Sequence, residues 1–306
     1  MARYSLTGRT VLITGATGGI GTATAHSLHA REANVVLLGR DTTALSALAR
    51  RLGEERVLPL TADVTDPAAL DEAVARAVHR FGGLDVVFAN AGIAPARPAT
   101  MATIEPALFE RIIEVNVLGT WRTVRAALPY VVARRGHVLV NASVYAYVNG
   151  AVNAPYAASK AAVEQLVRAL RVELAGCGAT AGVLYPGWVE TTMSRVAFGA
   201  DLLATQMRQA AFPRLFAHSI EPELVADRAV RGIERRAASI TVPRRWQPVG
   251  VLRGIVNPLI DRALIRHKPL QSLLRSLESG ARDVRGQSGC GPGCGYQAVG
   301  HHRCAH

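Results

Sequence analysis

The chain has 306 residues, of which 49% are hydrophobic and 19% charged; this excludes a disordered chain and allows one large core, or a core with an appendage. The formal net charge of +12 sits late, with thirteen Arg or Lys against four acids (Glu234, Asp261, Glu278, Asp283) over residues 228–285, yet no aromatic-interleaved basic patch or nucleic-acid motif accompanies it, so no nucleic-acid partner is expected. No apolar run approaches a membrane span, the N-terminus lacks the apolar stretch of a signal peptide, and four cysteines, three of them crowded near the C-terminus, make no disulfide framework, so a cytoplasmic protein is expected.

Residues 10–14 read as a buried strand, followed by the turn Gly15-Ala16-Thr17-Gly18-Gly19-Ile20-Gly21 and an apolar-periodic helix to Leu28. In that context Gly15 serves the tight turn, Gly19 a close approach to a pyrophosphate and Gly21 helix–strand packing, with the helix N-terminus offering N–H donors to phosphate. A second strand, residues 34–38, ends at Gly39-Arg40-Asp41. An acid that would hold the ribose hydroxyls and repel a 2′-phosphate is missing at Gly39. Arg40 suits a phosphate, which favours NADP(H) over NAD(H). Asp41 is placed as an N-cap.

Residues 56–61 form the third strand, and Asp63 and Val64 lie just past it, where a carboxylate can accept from an adenine amino group and the valine can pack on its ring. Asp66 and Pro67 start a helix that runs to Phe81. The fourth strand, residues 84–89, leads to Asn90-Ala91-Gly92, small enough to leave room for a ribose. A long helical region from about Pro106 to Val132 contains Asn116 among apolar neighbours. A buried asparagine needs hydrogen-bond partners, and taken alone Asn116 reads as structural.

Residues 137–141 read as a buried strand that puts Ser143 just past its end. Pro155 suits a first helical turn, and Tyr156 and Lys160, four residues apart, share a helix face. An ammonium near the phenol favours the phenolate and lowers its pKa, so Tyr156 could exchange a proton with a carbonyl or alcohol oxygen that Ser143 also meets. By itself the Tyr–Lys spacing is common and reads as a surface helix whose tyrosine packs on a loop. Only Lys160 and Lys268 are lysines in a chain that otherwise uses arginine, consistent with a need for a compact ammonium at position 160.

Together these stretches resemble the short-chain dehydrogenase/reductase family: residues 14–21, Asp63, Asn90 to Gly92, Asn116, Ser143, Tyr156, Lys160 and residues 186–191 follow its order and spacing over about residues 8–195. Ala89 departs from the family's frequent second asparagine. The resemblance implies an α/β, Rossmann-like, doubly wound parallel sheet in a single domain. It implies a tetrad in which Tyr156 exchanges the proton, Lys160 lowers its pKa and holds the nicotinamide ribose, Ser143 positions the substrate oxygen and Asn116 holds a relay water. It further implies that Val189 and Thr191 grip the carboxamide, and that a homodimer or homotetramer forms through the Asn116 and Tyr156 helices. The expected activity is NADP(H)-dependent interconversion of a carbonyl compound and an alcohol, with no metal. An NAD-dependent alcohol dehydrogenase and a non-catalytic dinucleotide sensor are the alternatives, the latter opposed by the presence of both Tyr156 and Lys160.

The expected catalytic domain is 1–242, with the apolar stretch 192–220 either a lid over a lipophilic substrate or two packed short helices. Residues 243–285 form a basic amphipathic helical appendage in which Pro258 should kink or split the first helix. With Trp246 beside it, this segment can lie in an anionic membrane interface, or pack on the protein's own core or a subunit partner. Residues 286–306, rich in Gly, Cys and His, have no zinc spacing and read as a disordered tail.

Overall fold

The computed structural model describes residues 3–194, 205–207, 212 and 214–288. The 286–306 tail lies almost wholly outside these residues, as does much of 192–220.

Seven strands form one parallel sheet in the order β3-β2-β1-β4-β5-β6-β7: β1 Thr10–Thr14, β2 Asn34–Gly39, β3 Val57–Thr61, β4 Val86–Ala89, β5 His137–Asn141, β6 Thr180–Pro186 and β7 Ser239–Val242. Side chains alternate across a strand, and here both alternating sets are apolar. Leu12, Val36, Leu38 and Val87 pack on one face with Leu70 and Val74 of α3 (Pro67–Phe81), Val131 of α5 (Gly119–Ala133) and Val163 of α6 (Ala154–Glu173). Val11, Ile13, Val35 and Phe88 pack on the other face with Leu28 of α1 (Gly19–His29), Leu45 of α2 (Thr42–Leu52) and Val230 of a helix spanning Pro222–Glu234. Continuous apolar runs are therefore what the sheet requires, and the doubly wound expectation is met.

Helix starts follow local chemistry. The Asp41 carboxylate accepts from the Ala44 N–H at 2.9 Å, and the Asp66 carboxylate accepts from Ala68 and Ala69 at 2.9 and 3.1 Å, each satisfying donors that a helix leaves unpaired. The long helical region is not continuous: α4 (Pro106–Ile113) passes through a π-helical turn, Glu114–Leu118, into α5. The fourth strand starts at Val86 rather than at residue 84.

After β3 the chain returns to the centre of the sheet, so the connections that leave β1 and β4 run in opposite directions. Such a switch point opens a crevice, and the glycine turn and Asn90–Gly92 lie on its two sides.

Past β7 come α10 (Gln247–Val251), α11 (Arg253–Arg266) and α12 (Lys268–Ser288); α7 (Thr192–Ser194), α8 (Arg214–Ala217) and α9 (Pro222–Glu234) precede it. Pro258 does not split its helix; α11 runs through it and the break falls at His267. Pro258 withholds only its own N–H, leaving one carbonyl near the helix start without its donor. Trp246 is 2% exposed and packs against Phe212 and Phe216, with ring centroids 5.9 and 4.6 Å away, so it cannot sit in a membrane interface. Gly187 makes room for it: a Cβ there would lie 2.9 Å from the indole nitrogen.

Candidate active site

A cavity of about 810 Å³ opens at the carboxyl ends of the central strands. The glycine turn forms one end. Gly15 has φ +63°, a left-handed conformation in which any other side chain is strained. A Cβ on Gly21 would stand 2.2 Å from the Gly15 carbonyl oxygen, so helix α1 can approach β1 only with glycine there. Gly19 is demanded by a neighbour, because its Cβ would meet the Thr191 methyl at 2.7 Å. Thr17, Gly18 and Ile20 complete this wall, and Val189 and Thr191 face it from the loop after β6. The result is a cradle of backbone at a helix N-terminus that added side chains would fill, and it fits the pyrophosphate of a dinucleotide.

Asn90, Ala91 and Gly92 line the cavity floor. The Asn90 amide donates to the Thr14 and Gly15 carbonyls at 3.0 and 3.2 Å, and its carbonyl oxygen accepts from Asn141 at 2.9 Å. Asn90 thus ties the ends of β1, β4 and β5 together. Asn141 also offers its backbone oxygen to the Lys160 ammonium at 2.8 Å. Its double role is not legible from the sequence, where it appears only as the last residue of a strand.

Ser143, Tyr156 and Lys160 converge on the cavity. The Ser143 hydroxyl accepts from the Tyr145 N–H at 3.2 Å and hydrogen-bonds the Tyr156 side chain. The Lys160 nitrogen lies 5.4 Å from the centre of the Tyr156 ring. Burial pushes Tyr156 up to about 12, opposed by the hydrogen bond from Ser143, and burial pushes Lys160 down to about 8.

Asn116 is fully buried in the π-helical turn and does not reach the cavity wall. Its Nδ2 donates to the Ile93 carbonyl and the Ser159 hydroxyl, both at 2.9 Å, and its Oδ1 accepts from the Ile93 N–H at 2.8 Å. The extra residue of a π turn widens the helix, and here it seats a side chain that joins the loop after β4 to α6. Gly92 lies between this side chain and Lys160; its Cβ would be 3.2 Å from Asn116 Oδ1 and 3.5 Å from Lys160 Nζ.

Arg40, Asp63 and Val64 stand beyond the cavity, near the ends of β2 and β3. Arg40 is largely exposed, with its guanidinium 3.9 Å from the Asp63 carboxylate. Arg111, not anticipated from the sequence, is closer, at 3.4 Å. Partial burial works to raise Asp63, but hydrogen bonds from the Thr65 N–H and hydroxyl and the charges of Arg111 and Arg40 hold it below the ordinary carboxylate value.

An aromatic row extends from the phenol. Tyr145 meets Tyr156 and Trp188 edge-on at 5.8 and 5.4 Å, and Trp188 meets Phe212 at 5.5 Å. Edge-to-face pairs at these separations are favourable beyond their buried area.

Comparison with known proteins agrees with this geometry. Residues 9–200 match the family model described as short chain dehydrogenase. An uncharacterized oxidoreductase of Staphylococcus aureus is 35% identical over 190 residues, spanning 62% of this chain and 81% of that protein; one from Staphylococcus epidermidis is 33% identical over 187 residues, 61% and 80% of the two chains. A 3-ketoacyl-(acyl-carrier-protein) reductase from Brucella melitensis, complexed with NADH, superposes with a TM-score of 0.69 at 27% identity, covering 78% of this chain and 98% of that one. An alcohol dehydrogenase from the archaeon Thermococcus sibiricus, complexed with 5-hydroxy-NADP, gives 0.65 at 27% identity, covering 76% and 95%.

Proposed function

The chain belongs to the short-chain dehydrogenase/reductase family of oxidoreductases, and on that footing we propose that it transfers hydride between NADP(H) and a lipophilic carbonyl compound or secondary alcohol. The observation that carries this reading is the meeting of Ser143, Tyr156 and Lys160 in a cavity whose other end is the glycine cradle. A bound nicotinamide would supply or accept the hydride.

The residues would divide the remaining work. Tyr156, with its pKa pushed up to about 12, is a phenol at neutral pH and can give a proton to a carbonyl oxygen as that oxygen gains charge. Ser143 donates a hydrogen bond to the same oxygen. Lys160 holds the ribose and offers the nearby positive charge. Asn116 fixes the loop before Ile93 against α6; the proton relay through a water rests on its remaining acceptor lone pair. A preference for NADP(H) supports reduction as the working direction. Arg40 supports NADP(H), through the exposed guanidinium at the end of β2. The 1–242 unit carries the chemistry and 243–285 is an addition to it.

Assembly through α5 and α6 is supported by the exposed Trp121, Leu166 and Val172 on those helices. Contact with an anionic membrane through 243–285 is supported only by exposed Val251, Ile255, Leu259 and Ile265; among the described residues no helix is long and apolar enough to cross a membrane.

The test follows reduced-nicotinamide absorbance with a panel of lipophilic ketones, in wild type and Tyr156→Phe. The variant should lose turnover by a factor of about a thousand or more while binding NADPH nearly as wild type does. Substantial residual turnover would refute the role of Tyr156.

A further inference from the structure

The part of the cavity away from the glycine cradle is closed by the appendage. Val249, Ile260, Ala263, Leu264, His267 and Leu270 all line it, and all come from beyond the last strand. The Brucella melitensis reductase is covered over 98% of its length by 78% of this chain, which leaves the remainder of this chain without a counterpart there. The wall lies beyond residues 9–200, the part of the chain that matches the family model.

It is also firmly attached to the loop between Ser143 and Tyr156. Asn257 of α11 donates to the Tyr147 carbonyl at 2.9 Å, and Asn149 donates to the Asp261 carboxylate at 2.9 Å. Arg253 pairs with Glu164 on α6 through two contacts of 2.9 and 2.8 Å. Three separate attachments, four hydrogen bonds in all, thus hold the appendage to the loop after Ser143 and to α6, which carries the candidate acid.

The chemistry of this wall is narrow. Five of the six residues are aliphatic. The sixth, His267, accepts at its Nδ1 from the Leu270 N–H at 3.3 Å. Among the described residues no carboxylate, ammonium or guanidinium comes from the appendage to this wall, and the Arg97 guanidinium reaches the cavity from the loop after β4 instead. An aliphatic surface of this kind binds hydrocarbon in proportion to the area it covers.

Resting on the carbonyl–alcohol reading above, we propose that α11 and the start of α12 form the chain-binding wall of the substrate site and select carbonyl compounds or alcohols that bear an extended, uncharged aliphatic chain. The reacting carbon lies at Ser143 and Tyr156, and the hydrocarbon runs along Ile260, Ala263, Leu264 and Leu270.

The test uses the full chain and methyl n-alkyl ketones of increasing length. Affinity is measured by calorimetry with and without NADP⁺, and turnover by reduced-nicotinamide absorbance. Affinity should rise about fourfold per added methylene until the wall is covered. Ala263→Trp and Ile260→Asn should flatten that rise, whereas Ile255→Ser, on the exposed side of α11, should not. Affinity independent of chain length, or an unchanged rise in both wall variants, would overturn the proposal. Turnover with no chain-length dependence sinks this inference and leaves the reaction standing. Chain-length-dependent binding without turnover does the reverse.

Discussion

Arg253 and Glu164 are joined side by side: Nη1 and Nη2 of the guanidinium meet Oε2 and Oε1 of the carboxylate at 2.9 and 2.8 Å. Glu164 lies one helical step of four residues beyond Lys160, which itself lies four beyond Tyr156, so one face of α6 presents the phenol, the ammonium and the anchor of the appendage in succession. The carboxylate is buried and the guanidinium about one-third exposed.

Removing one partner of this pair should be worse than removing both. Arg253→Ala leaves a buried carboxylate without its cation, a change that destabilises fully buried pairs by about 3–5 kcal/mol. Screening of the partly exposed guanidinium reduces the expected loss to about 1–3 kcal/mol. Glu164→Gln in the Arg253→Ala background should recover part of it. Denaturant midpoints of the four proteins in the cycle measure the coupling, and additive losses would show that the two side chains act independently.

Dinucleotide choice should depend on Arg40. Its guanidinium is exposed and only 3.9 Å from Asp63, near enough to be steered and free enough to turn to a phosphate. A charge-assisted contact to a phosphate is stronger than a neutral hydrogen bond, and Arg40→Ala should weaken NADPH binding about 10- to 100-fold with little effect on NADH. Fluorescence titration of both proteins with both dinucleotides checks this. NADH binding as tightly as NADPH to the wild type would remove the argument from Arg40.

Asn116 should matter to stability at least as much as to turnover. Asn116→Ala leaves the Ile93 N–H and carbonyl and the Ser159 hydroxyl short of a partner in a buried place. Groups left in that condition each lose about 1–3 kcal/mol, and partial relaxation makes about 2–4 kcal/mol the expected total. A variant with a wild-type denaturant midpoint would mean that the loop after Gly92 finds other partners.

The strands and the site were legible in the sequence to different degrees, for a physical reason. Residues 10–14, 137–141 and 239–242 are strands with the anticipated bounds, because a buried parallel sheet needs apolar side chains on both faces and nothing else in the chain has that pattern. Gly15 and Gly21 could be placed because each answers a local steric demand. The partners of Asn116 could not, since the π turn that inserts it depends on long-range packing. Helical spacing puts Lys160 near the phenol, but how much water both groups lose is decided by long-range packing that buries them. Nor does the sequence show that Trp246 turns inward, because its pocket is built from Gly187, Phe212 and Phe216, all distant in the chain.

Lys160 offers a direct titration, because the chain has only one other lysine, Lys268. In protein labelled with ¹³C at lysine Cε, two resonances are expected, and Lys268→Arg assigns them by deleting one. The Lys160 signal should titrate with a midpoint of about 8, displaced downward by burial. The sign for stability follows from the same displacement. The unfolded chain keeps this proton up to its ordinary value of 10.5, and the folded chain loses it near 8. Below pH 8 both states carry the charge and the folded state bears the full penalty of burying it. Between about 8 and 10.5 the unfolded state binds more protons, so the contribution of this group to stability rises with pH. In reduction the effect on rate has the opposite sense: the charge beside the reacting oxygen disappears above pH 8 while Tyr156 is still a phenol, so turnover should fall there. A Lys160 resonance that stays unshifted through pH 9 would show that the ammonium is better solvated, or better paired, than its single bond to Asn141 implies.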